Sequence, residues 1–261
     1  MKGAIYSPEM QGRGVFDGGK ISEVKPIGFS GEGSAVTRVG PLFYWSWFHS
    51  PLDGYIGLHP HQGFEIITYM IQGKTVHGDT LGTNSEVEAG GMQLMRTGSG
   101  VQHEERFIGP DAEGFQIWFE PHLRDSLKLN PSYRQYVHRD FHMEKEDGVI
   151  RKTVIGDRSP ADLTVDVRMY DIQLQAGKSM THILEEGRVL TGLAVRGAGS
   201  WSGQADIPRA EPEILNFRHR DFMVMDAEGQ ETLTLTAAEP LRMILVDVRE
   251  NPGYPLYPKR P

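Results

Sequence analysis

The sequence has no cysteine among its 261 residues. Disulfide bridges and thiolate metal sites are therefore excluded, and a reducing compartment is compatible with this composition. The first residues contain no apolar signal core, and no apolar run reaches the roughly 18 residues that a membrane-spanning helix needs. We therefore expect a cytoplasmic protein that does not enter a membrane.

Basic clusters are also missing. The chain has 27 lysines and arginines against 35 aspartates and glutamates, a formal net charge of −8, and no run rich in lysine or arginine. Nucleic acids and anionic membranes attract basic surfaces, so direct binding to either is not expected. The expected state is a monomer.

Glycine and proline are plentiful, with 31 and 16 residues, which favours turns and short strands. Strand-like runs recur between turn signals, such as "GPLFYWSWF", "FEIITYMIQG", "RVLTGLAVRGAG" and "LRMILVDVRE". This spacing predicts an all-β chain of sandwiches or barrels. The polar stretch "PHLRDSLKLNPSYRQYVHRDFHMEKEDG" separates two similar halves, so we predict one domain over residues 1–135 and a second over residues 136–261.

The stretch "GLHPHQGFEIITYMIQG" holds two histidines at strand spacing, His59 and His61. Alternate residues of a strand project from the same face, so both imidazoles point the same way. Further on, "GSGVQHEER" contains a second pair at this spacing, His103 and Glu105. If the two segments are neighbours, cross-strand side chains lie roughly 5 Å apart and all four groups converge. Three imidazoles and a carboxylate suit a divalent first-row metal rather than calcium or magnesium.

Glu65 is a rival carboxylate. It follows His61 by four residues, so an unbroken strand would put it on the same face, as an alternative ligand or as a group that contacts the ligands. The other histidines lack a convincing partner at ligand spacing, and His182 alone lies near the second-half counterpart of the first pair. Surface or hydrogen-bonded positions are predicted for His49, His77, His122, His138, His142 and His219.

The stretch "HPHQGFEIITYMIQGKTVHGDTLGTNSEVEAGGMQLMRTGSGVQHEE" resembles the pirin family of the cupin superfamily, and the resemblance extends over about residues 40–120. It rests on HPH, on the Phe-Glu pair after Gly63, on "HGDTLG" and on "GSGVQHEE". Two positions depart from the common pattern: Gln62 stands where many relatives have arginine, and Glu104 where they have a small residue.

The resemblance implies two tandem cupin (jelly-roll-like) β-barrels with one metal ion in the N-terminal barrel. That ion is usually iron in the family, whereas the imidazoles themselves would also accept manganese, nickel, copper or zinc. The family's ligands fall on His59, His61, His103 and Glu105, so the resemblance favours Glu105 over Glu65.

A faint internal repeat connects the two halves. It places Gly73 on Gly197 and Met92 on Phe222. The four ligand positions then fall on mostly apolar residues of the second half: Ile183, Glu185, Leu233 and Leu235. We therefore predict that the C-terminal barrel is free of metal.

Some bacterial pirins resemble dioxygenases that cleave the flavonol quercetin with O₂, which implies a quercetin 2,3-dioxygenase type of activity on a small aromatic substrate. Glu105 would then be the catalytic base that takes a proton from the substrate hydroxyl. Four residues are predicted to form the walls of a pocket for a flat aromatic ligand: Phe48, Met92, Met95 and Trp118. The equal alternative is that they belong to the core of the barrel.

The alternative function is not enzymatic. Eukaryotic pirins resemble transcriptional co-regulators in which the oxidation state of the iron alters a surface that a protein partner binds. The alternative is therefore a non-catalytic, iron-binding, redox-responsive co-regulator that acts through a protein partner. A metal-bearing sensor or structural cupin without turnover is a third interpretation.

Overall fold

A computed structural model describes residues 1–205 and 214–258 of the chain. Almost all of the regular structure in these residues is β. One short α-helix, α1 (Leu123–Ser126), and three 3₁₀ turns, at Pro8–Met10, Asp17–Gly19 and His138–Asp140, complete it. None of these helices is long and apolar enough to cross a membrane. The predicted all-β class is confirmed.

Twenty strands are found in the described residues. The first ten are β1 (Lys2–Tyr6), β2 (Gly12–Phe16), β3 (Ile21–Ile27), β4 (Leu42–Ser50), β5 (Gly54–His61), β6 (Glu65–Asp79), β7 (Asn84–Glu88), β8 (Met92–Arg96), β9 (Val101–Phe119) and β10 (Ser132–Tyr136). The others are β11 (His142–Glu146), β12 (Val149–Ile155), β13 (Val167–Leu174), β14 (Ser179–Leu184), β15 (Arg188–Arg196), β16 (Gly199–Ala205), β17 (Ile214–Phe217), β18 (Phe222–Asp226), β19 (Glu231–Ala237) and β20 (Leu241–Arg249).

The chain forms two compact units. The first unit contains residues 10–140, residues 163–165 and the described residues from 253 onward. The second unit contains residues 1–9 and 141–162, and the described residues between 166 and 252. The main boundary thus lies a few residues after the predicted position 135. The prediction also did not anticipate that the first nine residues would join the second unit, where β1 pairs with β18.

The first unit is built on a nine-stranded antiparallel sheet in the order β10-β8-β6-β9-β4-β3-β2, with β5 paired to β9 and β7 paired to β6. Strand β4 is buried on both faces except at the half-buried His49, which explains why its sequence is mostly apolar instead of alternating. Part of the core forms around Phe48 and Phe107, whose ring centroids are 4.3 Å apart.

The second unit has a seven-stranded sheet in the order β1-β18-β15-β20-β13-β12-β11 and a four-stranded sheet in the order β14-β19-β16-β17. One hydrophobic cluster takes residues from both sheets. Leu190 on β15 and Met243 on β20 come from the larger sheet, and the fully buried Trp201 on β16 comes from the smaller one.

Strand pairing supports the internal repeat. Tyr69 pairs with Met92 across β6 and β8, and Leu193 pairs with Phe222 across β15 and β18. These are the residues that the sequence alignment makes equivalent. The same antiparallel pairing of two equivalent strands therefore occurs once in each unit.

The pairing also corrects one part of the alignment. His59 pairs with His103 across β5 and β9, and His182 pairs with Leu233 across β14 and β19. His182 is therefore the counterpart of His59, whereas the alignment predicted Ile183. A one-residue shift moves a side chain to the opposite face of a strand, and Ile183 is indeed 55% exposed. The four ligand positions correspond in the second unit to one imidazole and three leucines, His182, Leu184, Leu233 and Leu235.

Gly73 makes the bend of β6 possible. The register of β6 against β9 shifts at this residue, and its φ is +67°. A Cβ atom at this position would lie 2.8 Å from Ala112 Cα and 2.9 Å from the Ile108 carbonyl oxygen. Both the backbone conformation and the close approach of β9 therefore require glycine.

We expect Gly73→Ala to lower the free energy of unfolding by about 3 kcal/mol, because the cost of the strained backbone conformation and the cost of crowding by the added methyl group are both incurred. Gly82→Ala is the matched control, since Gly82 has a φ of +85° but no described atom lies within 4 Å of its Cβ position. That variant should lose only about 1 kcal/mol. Urea unfolding at unchanged m-value measures both losses. Equal losses in the two variants would contradict the crowding argument.

Candidate metal centre

The pairing of β5 with β9 brings three histidines together. His59 lies opposite His103, and His61 follows two residues later on the same face. The ring centroids are 4.4 Å apart for His59 and His103, 4.8 Å for His59 and His61, and 4.9 Å for His61 and His103. One ring nitrogen of each residue lies within 4.8 Å of the other two, which is close enough for one ion to bind all three.

A bulge in β5 sets the direction of these side chains. Ile56 pairs with Glu105 and His59 pairs with His103, so β5 contains one more residue than β9 over this stretch. The bulge turns both Ile56 and His59, three residues apart, toward one cavity. Within the bulge, His59 Nδ1 donates to the Gly57 carbonyl oxygen at 2.8 Å. This hydrogen bond selects the tautomer whose Nε2 has a free lone pair.

The histidine nitrogens fit a metal ion. His61 Nε2 and both ring nitrogens of His103 are buried and have no hydrogen-bond partner among the described residues. Burial and the neighbouring imidazoles lower the pKa of His61 to about 3, and the same causes lower the pKa of His103 to about 3. Neutral imidazoles with unused lone pairs are the form that binds metals. A divalent first-row ion would satisfy His61 Nε2 and one of the two ring nitrogens of His103, because a neutral imidazole has a single lone pair.

Glu105 lies beside this histidine group on the same face of β9 and lines the same cavity. Its Oε1 accepts hydrogen bonds from Gln93 Nε2 at 3.1 Å and from Thr68 Oγ1 at 3.3 Å. Its Oε2 accepts one from Gln116 Nε2 at 2.7 Å. The carboxylate is thus held by neutral donors next to the imidazoles, and its role as a fourth ligand stays a prediction.

Two further side chains fix the orientation of these amides. Trp118 Nε1 can only donate, and it donates to Gln116 Oε1 at 3.0 Å, so the amide nitrogen of Gln116 faces Glu105. The Tyr133 hydroxyl donates to Gln93 Oε1 at 3.3 Å, which turns the other amide nitrogen the same way. Burial raises the pKa of Tyr133 to about 12, so this hydroxyl keeps its proton.

The structure places Glu65 outside the group of three histidines that could hold a metal. The turn between β5 and β6 contains Gly63 with a φ of +85°, so the strand is interrupted and its alternation does not continue to Glu65. The carboxylate accepts a hydrogen bond from Arg96 Nε at 2.9 Å and one from the Thr164 backbone N–H at 3.0 Å. Glu65 therefore anchors residues 163–165 and is not directed at the imidazoles.

The sequence predicts a surface or hydrogen-bonded position for His77, and the structure shows a buried, hydrogen-bonded one close to the histidine group. This residue is fully buried on β6, opposite Glu105. Its Nε2 lies 2.9 Å from Asp79 Oδ2, and its ring stacks on Tyr133 and lies 5.4 Å from the ring of His103. The spacing in "HGDTLG" is the same alternate spacing as in the two ligand pairs, and it was the signal that could have located this pair behind the centre.

A cavity of about 360 Å³ has His59, His61 and Glu105 in its wall. Of the predicted pocket residues, Phe48 and Trp118 line this cavity. The rings of Trp118 and His61 meet edge to face, with centroids 4.8 Å apart. The other two predicted wall residues are buried in the core and are absent from the cavity lining: Met92 and Met95.

Comparison with known proteins now identifies the family. The family model described as Pirin matches residues 46–119. The pirin-like protein of Caulobacter vibrioides is 31% identical over 193 residues, which cover 72% of this chain and 75% of that relative. The chain belongs to the pirin family.

Solved structures show the same fold. The bacterial pirin YhhW of Escherichia coli, in complex with nickel(II), has a TM-score of 0.75 and 19% identity, with 95% of this chain and 99% of that chain covered. A quercetin 2,3-dioxygenase from Acinetobacter baumannii has a TM-score of 0.78 and 21% identity, with 99% and 89% covered. The predicted fold of tandem cupin barrels is confirmed. The histidine group of this pirin could hold a metal.

Removal of His61 tests the centre, and His182 is the matched control in the second unit. We expect the wild-type chain to hold one tightly bound metal ion, and His61→Ala to bind it at least about a hundredfold more weakly. His182→Ala should keep the metal, since its neighbours at the other ligand positions are leucines. Elemental analysis after dialysis against nickel(II) measures the content, and circular dichroism checks the fold. Full occupancy in His61→Ala, or loss in His182→Ala, would refute the assignment.

Proposed function

We propose that this pirin is a metal-dependent dioxygenase that acts on a flavonol-like aromatic substrate of the quercetin type, with O₂ as co-substrate. The observation that carries this proposal is the aromatic-lined cavity of about 360 Å³ that shares its wall with His59, His61 and Glu105. A largely apolar cavity with a few polar groups is typical of a small-molecule site. The name of the Acinetobacter structure, quercetin 2,3-dioxygenase, supports the same substrate class.

The cofactor in this proposal is one divalent metal ion held by His59, His61 and His103, with Glu105 as fourth ligand. Iron is the proposed ion, with manganese, nickel, copper and zinc as alternatives. The nickel in the related E. coli structure supports a metal in this fold, although it does not select the ion for this chain. A bound ion would supply Lewis acidity and a template for aligning the substrate with O₂.

Glu105 is the proposed base for the substrate hydroxyl. Its Oε1 already accepts two hydrogen bonds, whereas its Oε2 accepts one, from Gln116. Oε2 therefore has one free lone pair, which would bind the ion in the resting site and would take the proton once the substrate has displaced this oxygen from the ion. Gln116 holds this oxygen in place, and Trp118 fixes the direction in which the amide donates.

The apolar wall limits how much water reaches the reacting groups. Phe48, Phe107 and Ile56 line the cavity together with two of the imidazoles, those of His59 and His61. The two phenylalanines are almost fully buried. Exclusion of water strengthens the electrostatic interactions of the charged groups and protects a reactive substrate from side reactions. The flat indole of Trp118 offers a surface on which an aromatic substrate can stack.

The exchange Glu105→Gln tests the proposed base. The amide keeps the shape of the side chain but cannot take up a proton, so turnover of quercetin per bound metal should fall about a hundredfold or more. Metal binding should weaken as well, because a negative charge is lost beside the cation. O₂ uptake, normalised to metal content, measures the rate.

Glu65→Gln is the control for this experiment, because Glu65 is also buried but is directed at Arg96 and the backbone of Thr164. Its normalised rate should remain close to that of the wild type. A normalised rate that survives in Glu105→Gln and vanishes in Glu65→Gln would reverse the two roles. Absence of turnover in the wild type with iron, nickel, copper and manganese would favour the co-regulator hypothesis.

A further inference from the structure

Two charged side chains of β3, Glu23 and Lys25, face the interior of the first unit. They are only 7% and 5% exposed, and both line the cavity that contains His59 and His61. Charged residues are seldom buried to this degree unless they are paired. Neither residue belongs to the histidine centre or to the network around Glu105.

Hydroxyl groups and one ammonium group hold the Glu23 carboxylate. Its Oε2 accepts hydrogen bonds from the Tyr44 hydroxyl at 3.1 Å and from Ser46 Oγ. Its Oε1 forms an ion pair with Lys25 Nζ at 2.9 Å, and Lys25 Nζ donates a hydrogen bond to Glu32 Oε1 at 2.6 Å. Burial opposes the charge on Lys25, but the two carboxylates outweigh it and raise the pKa of the lysine. The cluster therefore contains two negative charges and one positive charge.

This cluster has unused hydrogen-bonding capacity. A carboxylate has about four lone-pair sites, and described residues donate two hydrogen bonds to Glu23, both to Oε2. The buried Oε1 accepts no hydrogen bond from a described residue and has only the ion-pair contact with Lys25. The ammonium of Lys25 has three N–H groups, and among described residues it donates one hydrogen bond, to Glu32 Oε1. Glu23 Oε1 and the ammonium of Lys25 thus keep hydrogen-bonding capacity next to each other. A hydroxyl group of a ligand, which both donates and accepts, matches this pair.

The cluster lies away from the imidazoles along the sheet. Gln116, which binds Glu105, pairs with Ser46 across β9 and β4, and β3 is the next strand beyond β4. Two strand spacings are roughly 10 Å, which is comparable with the length of a fused two-ring system. The wall between the two ends is aromatic, since Trp118 contacts Tyr44 with ring centroids 4.6 Å apart.

We infer that Glu23 and Lys25 form a subsite that binds a neutral phenolic hydroxyl of the substrate at the end remote from the histidine centre. This inference rests on the proposed function, and it narrows the substrate class to aromatic compounds that are hydroxylated at both ends. A carboxylate at the remote end of the ligand would meet the net negative charge of the cluster. The subsite therefore selects polyphenols and rejects aromatic acids.

Calorimetric titration of the nickel-loaded protein with two flavonols tests the subsite without turnover. Quercetin has hydroxyl groups on its pendant ring, and 3-hydroxyflavone has only the single hydroxyl next to its carbonyl. We expect the wild type to bind quercetin at least about tenfold more tightly. Glu23→Gln and Lys25→Met should each remove most of this preference while 3-hydroxyflavone still binds as in the wild type, which also shows that the cavity is intact.

Glu113→Gln is the matched control. Glu113 is a similarly buried carboxylate that accepts a hydrogen bond from Trp47 Nε1 and does not line the cavity, so this variant should bind both flavonols like the wild type. Equal affinity of the wild type for the two flavonols would overturn the subsite and leave the proposed function standing. The same holds for a preference that persists in both variants. If neither flavonol binds the wild type, the proposed function fails and the subsite fails with it.

Discussion

The geometry of the first unit depends on the backbone ladder of β9. This strand pairs with β4, β5 and β6, so both of its edges are occupied over much of its length. His103 and Glu105 project from its first part, and Gln116 and Trp118 from its last part. A shift by one residue would turn every one of these side chains to the opposite face and break three ladders at once. The register of the sheet therefore determines the face from which these side chains project, and side-chain packing only adjusts their final positions.

Three buried carboxylates of this unit illustrate how the partner determines what a charge can do. Glu65 is fixed by Arg96 and backbone N–H groups, and Glu23 by Lys25 and two hydroxyl groups. A cation beside a carboxylate favours the charged form and makes it a fixed anchor. Among the described residues, Glu105 instead accepts hydrogen bonds from neutral groups, Thr68, Gln93 and Gln116, so no described cation neutralises its charge through a hydrogen bond.

Local periodicity predicted the imidazole group because the two-residue repeat of a strand depends only on neighbouring residues. It failed where the structure departs from an unbroken strand: the turn at Gly63 removed Glu65 from the face on which alternation had placed it. The inward direction of the Glu23 and Lys25 side chains could not be predicted either. Charged residues at alternate positions of a strand are typical of a solvent-exposed face, and the sequence does not show which residues pair with them. The alternate spacing of His77 and Asp79 indicates that the two side chains share a face, but their position next to His103 depends on the long-range pairing of β6 with β9.

The leucines that stand in place of ligands in the second unit have an evolutionary consequence. Leu184, Leu233 and Leu235 are completely buried and belong to one hydrophobic cluster. A polar group placed singly in such a core, without a hydrogen-bond partner, costs roughly 1–3 kcal/mol or more, a large part of the stability of a domain. A metal ion would stabilise the unit only after all the ligands were present. Sequences with only some of the ligands would therefore be less stable and would be selected against. Single substitutions in the second unit therefore cost stability without creating a metal site, and a return from the leucines to a set of ligands is selected against.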